Sequence, residues 1–141
     1  MISCTEFILA YNELFKYIEE RGGREGLEDF WTRISDEFLF NLDELVRTKG
    51  IKGMEEYWGH TLTEEVANAR IYADDKEFRI EMDECPSVKR INESGIKKCS
   101  SYCYHCDTLY KRVIEKYGFI YNLDIIDADK GVCCVKVRKI D

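Results

Sequence analysis

The stretch Ala67-Asn68-Ala69-Arg70-Ile71-Tyr72-Ala73-Asp74-Asp75-Lys76-Glu77-Phe78-Arg79-Ile80-Glu81-Met82 decides the fold class. Ala67, Ala69 and Ile71 fall on one side of an alternation that begins after Glu65, with Arg70 and Tyr72 on the other. Asp74-Asp75 supplies turn chemistry, and Phe78, Ile80 and Met82 then alternate with charged residues. Side chains that change face at every residue, on both sides of a turn, predict a β-hairpin with one buried face. Pro86 stops the second strand, and residues 87–93 predict a short helix closed by Gly95.

Further along, the same period returns. Phe119, Tyr121, Leu123 and Ile125 alternate, residues 127–131 read as a turn, and Cys133, Val135 and Val137 alternate with Lys136 and Arg138. A second hairpin follows. Between the hairpins, Cys106, Leu109, Tyr110, Val113, Ile114 and Tyr117 share one stripe, and Gly118 ends it, which predicts a helix.

Before the first hairpin the period is helical. Ser3-Cys4-Thr5-Glu6 has capping-box spacing, and Phe7, Ile8, Tyr11, Leu14, Phe15 and Ile18 form a stripe that Gly22-Gly23 ends. Leu27, Phe30, Trp31, Ile34, Phe38, Leu42, Leu45 and Val46 predict a second, longer helix running to Gly50. Met54-Glu55-Glu56-Tyr57-Trp58 predicts one or two helical turns broken at Gly59-His60-Thr61. These elements predict an α+β fold, a small antiparallel sheet of about four strands in two hairpins packed against helices. The pattern does not give the strand order.

With 141 residues and one proline, the chain is expected to form a single α+β domain over residues 1–141. No basic start precedes an apolar run and no stretch is long enough to span a bilayer, so a cytoplasmic protein with no membrane partner is expected. Seven cysteines, with Cys133 and Cys134 adjacent, fit reduced thiols or metal thiolates better than a secreted disulfide framework. The net charge of −7 is uneven: −11 over residues 1–85 and +4 over residues 86–141. An acidic front half repels phosphate backbones, which argues against nucleic acid. The modest positive charge at Lys89, Arg90, Lys97, Lys98, Lys111 and Arg112 suits a small carboxylate ligand or, more simply, a solvated helix face.

Chemistry concentrates between Cys85 and Cys106. Cys103-Tyr104-His105-Cys106 falls at the predicted start of a helix, with Cys99 four residues earlier and Cys85-Pro86 at the end of a strand. A helix amino terminus stabilises a thiolate, which makes Cys103 or Cys106 a candidate nucleophile. Zinc is an alternative cofactor, with Cys85, Cys103, Cys106 and either His105 or Cys99 as ligands, although only one close ligand pair is visible. A dithiol redox pair lacks the parallel βαβ setting of such motifs. Buried cysteines acting as small hydrophobes are the plain alternative. Cys133 alternates with core valines and is a candidate for the same pocket, whereas no role is expected for Cys4. His60, beside Glu64 and Glu65, reads as a general base, a ligand contact or a surface residue. Tyr57 and Trp58 read as pocket wall or core.

Gly53-Met54-Glu55-Glu56-Tyr57-Trp58, Cys85-Pro86, Tyr102-Cys103-Tyr104-His105-Cys106 and Gly131-Val132-Cys133 together resemble the L-2-amino-thiazoline-4-carboxylic acid hydrolase-like family. The resemblance implies a hydrolase acting on a carbon–nitrogen bond of a small sulfur-containing ring that bears a carboxylate. It implies a thiolate from Cys103 or Cys106 attacking the ring carbon, His105 moving the proton and nearby amides holding the developing charge. Cys85, Tyr57, Trp58, His60, Tyr102 and Cys133 are the expected ligand-binding residues. The alternative function is a non-catalytic sensor of a small ligand or zinc. A homodimer through the aromatic-rich helices is a third expectation.

Overall fold

The structure, a computed structural model, describes residues 4–141. The expected capping box depends on Ser3, which lies outside the described residues, as does the side chain of Cys4. The first helix, α1 (Cys4–Phe38), is two arms joined at Gly23, whose φ of 65° and ψ of −166° interrupt the helical path. The break expected at Gly22-Gly23 is there because only glycine takes that conformation without strain.

The single long helix expected up to Gly50 is in fact divided at Leu39, and α2 (Phe40–Lys49) follows. Helix α3 (Ile51–Glu64) starts after one residue, Gly50. A Cβ on Gly53 would stand 2.1 Å from the carbonyl oxygen of Leu45, so α2 and α3 touch backbone to backbone there. Helix α3 also runs straight through the break expected at Gly59-His60-Thr61. A mid-helix glycine costs only about 1 kcal/mol, and the face formed by Trp58, Thr61, Leu62 and Glu65 continues across it.

Strands β1 (Asn68–Ala73) and β2 (Glu77–Glu84) form the first hairpin, with the Asp74 carboxylate accepting from the amides of Lys76 and Glu77 at 2.8 Å each. Helix α4 (Pro86–Ser94) ends at Gly95, and a 3₁₀ turn (Tyr102–Tyr104) leads into α5 (His105–Glu115). The second hairpin joins β3 (Phe119–Asp127) to β4 (Val132–Lys139). The sheet order is β1-β2-β4-β3, antiparallel throughout, so the α+β expectation of four strands in two hairpins holds. The pairing of β2 with β4 fuses the hairpins into one sheet.

One face of this sheet is buried. Phe78, Ile80, Tyr121, Val135 and Val137 point into a core shared with Phe15, Leu27 and Trp31 of α1, Met54 and Trp58 of α3, and Val113 and Ile114 of α5. Ser35 donates to the carbonyl of Leu109 at 2.7 Å and ties α1 to α5. Asn12, fully buried, donates to the Lys97 carbonyl at 2.9 Å and accepts from the Cys99 amide at 2.8 Å, fixing the loop before the 3₁₀ turn. Among the described residues, no helix is long and apolar enough to cross a membrane.

Candidate functional site

The core does not fill the space between the sheet and the ends of α3, α4 and α5. A cavity of about 150 Å³ remains. Its walls are the Trp58, Thr61, Leu62 and Glu65 face of α3, Ile80 and Met82 of β2, and the first turn of α4. Tyr102, Cys103, His105, Cys106 and Tyr110 form a fourth wall, and Tyr121, Leu123, Ile125, Cys133 and Val135 of the second hairpin close it. Four cysteines from four separate elements, Cys85, Cys103, Cys106 and Cys133, therefore face one void. No lysine or arginine is among the lining residues.

Cys85 is the N-cap of α4, in extended conformation ahead of Pro86 at the first helical position. Its amide donates to the Gly131 carbonyl at 2.8 Å. A Cβ on Gly131 would come within 2.7 Å of the Cys85 Cβ, and its φ is +71°, so glycine alone lets the second hairpin turn lie against the thiol. Cys103 sits on the 3₁₀ turn with its Sγ 3.8 Å from the Ala128 carbonyl. Cys106 and Tyr110 lie one turn apart on α5. Tyr121 donates to the Cys106 carbonyl at 3.5 Å, and Tyr110 meets Trp58 edge to face at 5.2 Å.

The ring of His105 lies among Phe15, Trp31 and Tyr102, with centroids 5.4, 6.3 and 4.8 Å away. Its Nδ1 is bonded to the Tyr102 carbonyl, which can only accept, so Nδ1 carries the proton. Burial holds this imidazole below the usual histidine range, and Nε2 is therefore a free acceptor. The Cys106 Sγ lies 3.7 Å from it and is oriented to donate.

The expectation of a thiolate at the start of α5 needs correction. Burial pushes the Cys106 thiol up to about 12, helped by the charges of Glu65 and Asp107. Burial likewise raises Cys103 to about 11 and Cys133 to about 12, and the neighbouring thiols add to both shifts. Desolvation by an apolar cavity outweighs the helix terminus. The helix amides that favour a thiolate act instead on Cys85, through Ser87 and Val88 at the start of α4, and even there burial wins and lifts the thiol to about 11. At neutral pH all four thiols are protonated.

Zinc does not fit these residues. Among the described residues no three of the histidines, cysteines, aspartates and glutamates are grouped to hold a metal ion. Cys99 is buried elsewhere, 3.8 Å from the Glu19 carboxylate, outside the cavity.

Of the remaining expected residues, Tyr102 and Trp58 line the void, while Tyr57 stands behind Trp58, edge to face at 5.3 Å. His60 is outside: its side chain is 74% exposed and pairs with Glu64 at 3.4 Å. Glu65, read from the sequence only as a neighbour of His60, lines the cavity, as does Asp127. Tyr110 and Tyr121 were readable only as core positions, and their helical and strand spacing carried no signal that the space before them is empty.

The site thus defines an α+β protein with a thiol- and tyrosine-lined cavity that is partly open to solvent. No protein-family model matches the chain and no curated protein matches its sequence. The thiazoline-carboxylate hydrolase-like resemblance is carried by its quoted motifs alone.

Proposed function

We propose that this protein is a non-catalytic small-molecule-binding domain, a sensor or carrier whose ligand occupies the cavity between the sheet and the ends of α3, α4 and α5. The convergence of Cys85, Cys103, Cys106 and Cys133 on one void of about 150 Å³ carries this reading. Thiols used only as small hydrophobes would be expected to close the space, because an unfilled cavity costs about 24 cal/mol per Å³ when it is created in a packed core. An apolar cavity of this size holds about one small aromatic ring. The polar groups that would orient such a ring, the Tyr102 and Tyr110 side chains and the Cys106–His105 pair, lie in its wall.

Titration calorimetry with toluene tests the reading. Binding with a Kd on the order of 0.1–1 mM is expected for a ring of that size, and Cys133→Leu, which fills the void, removes it while the thermal midpoint is maintained or rises. Absence of toluene binding to the wild-type protein would sink the proposal.

A second reading, hydrolysis of a carbon–nitrogen bond in a small ring, is favoured by one observation, the Cys106 thiol aimed at the unprotonated Nε2 of His105. There the sulfur would lose its proton to His105 only as it attacks, rather than resting as a thiolate. Turnover of a thiazoline carboxylate, lost in Cys106→Ser with the fold intact by circular dichroism, is the expected outcome. A wild-type protein without such turnover leaves the binding reading alone.

A further inference from the structure

The charge of the cavity's occupant can be read from its wall, given the binding function proposed above. The lining holds two carboxylates and no lysine or arginine. One of them, Asp127, is committed to its own turn, accepting from the amides of Asp129 and Lys130 at 3.0 and 3.1 Å. The other, Glu65, makes no side-chain hydrogen bond and no ion pair among the described residues. It caps α3 at the carboxyl end, where the helix presents partial negative charge. The adjoining Val66 has a φ of +53°, a strained conformation for a β-branched residue, directly after the residue that brings the acid to the cavity.

Glu65 is exposed, standing where the cavity opens to solvent, and a carboxylate beside a helix carboxyl terminus favours the arrival of a positive charge. Partial desolvation of the carboxyl and the charge of Glu64 hold Glu65 above the usual carboxylate range. Four aromatic side chains, Trp58, Tyr102, Tyr110 and Tyr121, line the same cavity. Burial keeps the tyrosine hydroxyls neutral, so the rings add no competing anion. Aromatic rings beside an available carboxylate, with no lysine or arginine in the wall, suit an organic ammonium group.

We infer that the ligand is a small organic monocation, an ammonium- or amidinium-bearing ring whose apolar body lies among the tyrosines and thiols and whose positive nitrogen meets Glu65. Glu65 is then the residue that sets charge specificity, and a ligand whose only charge is a carboxylate is rejected.

Calorimetry with three probes of similar size, toluene, benzylammonium and benzoate, at one fixed ionic strength tests this. Benzylammonium is expected to bind about tenfold tighter than toluene, and benzoate at least about tenfold weaker. In Glu65→Gln the benzylammonium advantage falls below about threefold while toluene binding is unchanged. Glu64→Gln, on the neighbouring position that pairs with His60, keeps the preference and separates a local contact from general surface charge. Benzoate binding as tightly as benzylammonium, or a cation preference that survives Glu65→Gln, overturns the inference but leaves the binding function standing. If toluene fails to bind the wild-type protein, the binding function falls and the inference falls with it.

Discussion

The two ends of the paired strands β2 and β4 are built on one alternation and end differently. Where Phe78 faces Val137, both side chains are fully buried, and Trp58 stacks on Phe78 at 5.4 Å with the rings 27° from parallel. Where Met82 faces Cys133, four residues along, both are only half-buried and both face the cavity. The backbone pairing is continuous between them. What changes is side-chain volume: large rigid rings close one end, and small thiols leave the other open. A cavity has been left in a regular sheet by under-filling one end of its buried face.

The sharpest way to break that contrast is to truncate each end. Phe78→Ala should cost about 3–5 kcal/mol, whereas Met82→Ala, whose neighbourhood is already unfilled on one side, should cost about 1–2 kcal/mol. Urea denaturation of both variants measures this, and equal costs would mean that the Met82 end is as tightly packed as the other. The next largest effect should come from the turn that touches Cys85. Gly131→Ala meets both a positive φ and a Cβ contact at 2.7 Å, while Gly95, also at positive φ, has nothing within 4 Å. About 3 kcal/mol is expected for Gly131→Ala and about 1 kcal/mol for Gly95→Ala. Toluene binding should weaken in the first variant only.

Alkaline pH probes the open end selectively. Folding raises the cavity thiols above their ordinary value of 9.0, to about 11 for Cys85 and Cys103 and about 12 for Cys106 and Cys133. Between those values the unfolded chain has lost protons that the folded chain still holds. The stabilising contribution is therefore complete below about pH 9 and is lost as pH rises toward 11–12. After discounting for partial exposure, a fall of roughly 2 kcal/mol between pH 8 and pH 10 is expected. Removing two of the thiols, as in Cys106→Ala with Cys133→Ala, should flatten it, and an unchanged slope would contradict the shared environment of the four sulfurs.

The sequence made the packed end and the sheet legible because alternation and helical stripes report which face of an element is buried. Phe78, Ile80, Val135 and Val137 could be placed on the inner face by counting alone. Periodicity does not report whether the space opposite a buried face is filled, so Tyr110 and Tyr121 looked like ordinary core. The strand order was hidden because both hairpins carry the same kind of apolar face, and only the long-range pairing of β2 with β4 chooses between arrangements. The Cys85–Cys106 segment was found from its composition, but the direction of the thiol shifts was not. A helix start favours the thiolate and burial opposes it, and the winner depends on a cavity that spacing cannot show. The run through Gly59 was missed for a related reason: a local breaker lost to the tertiary face carried by Trp58 and Leu62.

The continuation of α3 through Gly59 also decides which polar side chain reaches the cavity. If α3 had ended at Gly59, His60 would have stood in a loop free to turn toward the thiols; because the helix continues, residue 60 faces solvent and residue 65 reaches the void. His60→Ala should therefore change stability by no more than about 0.5 kcal/mol, since it removes only an exposed pair with Glu64. It should also leave the affinities for toluene and benzylammonium within about twofold of the wild type. A loss of cation binding in His60→Ala as large as that in Glu65→Gln would show that the carboxyl end of α3 does not sort the two residues as this helical phase requires.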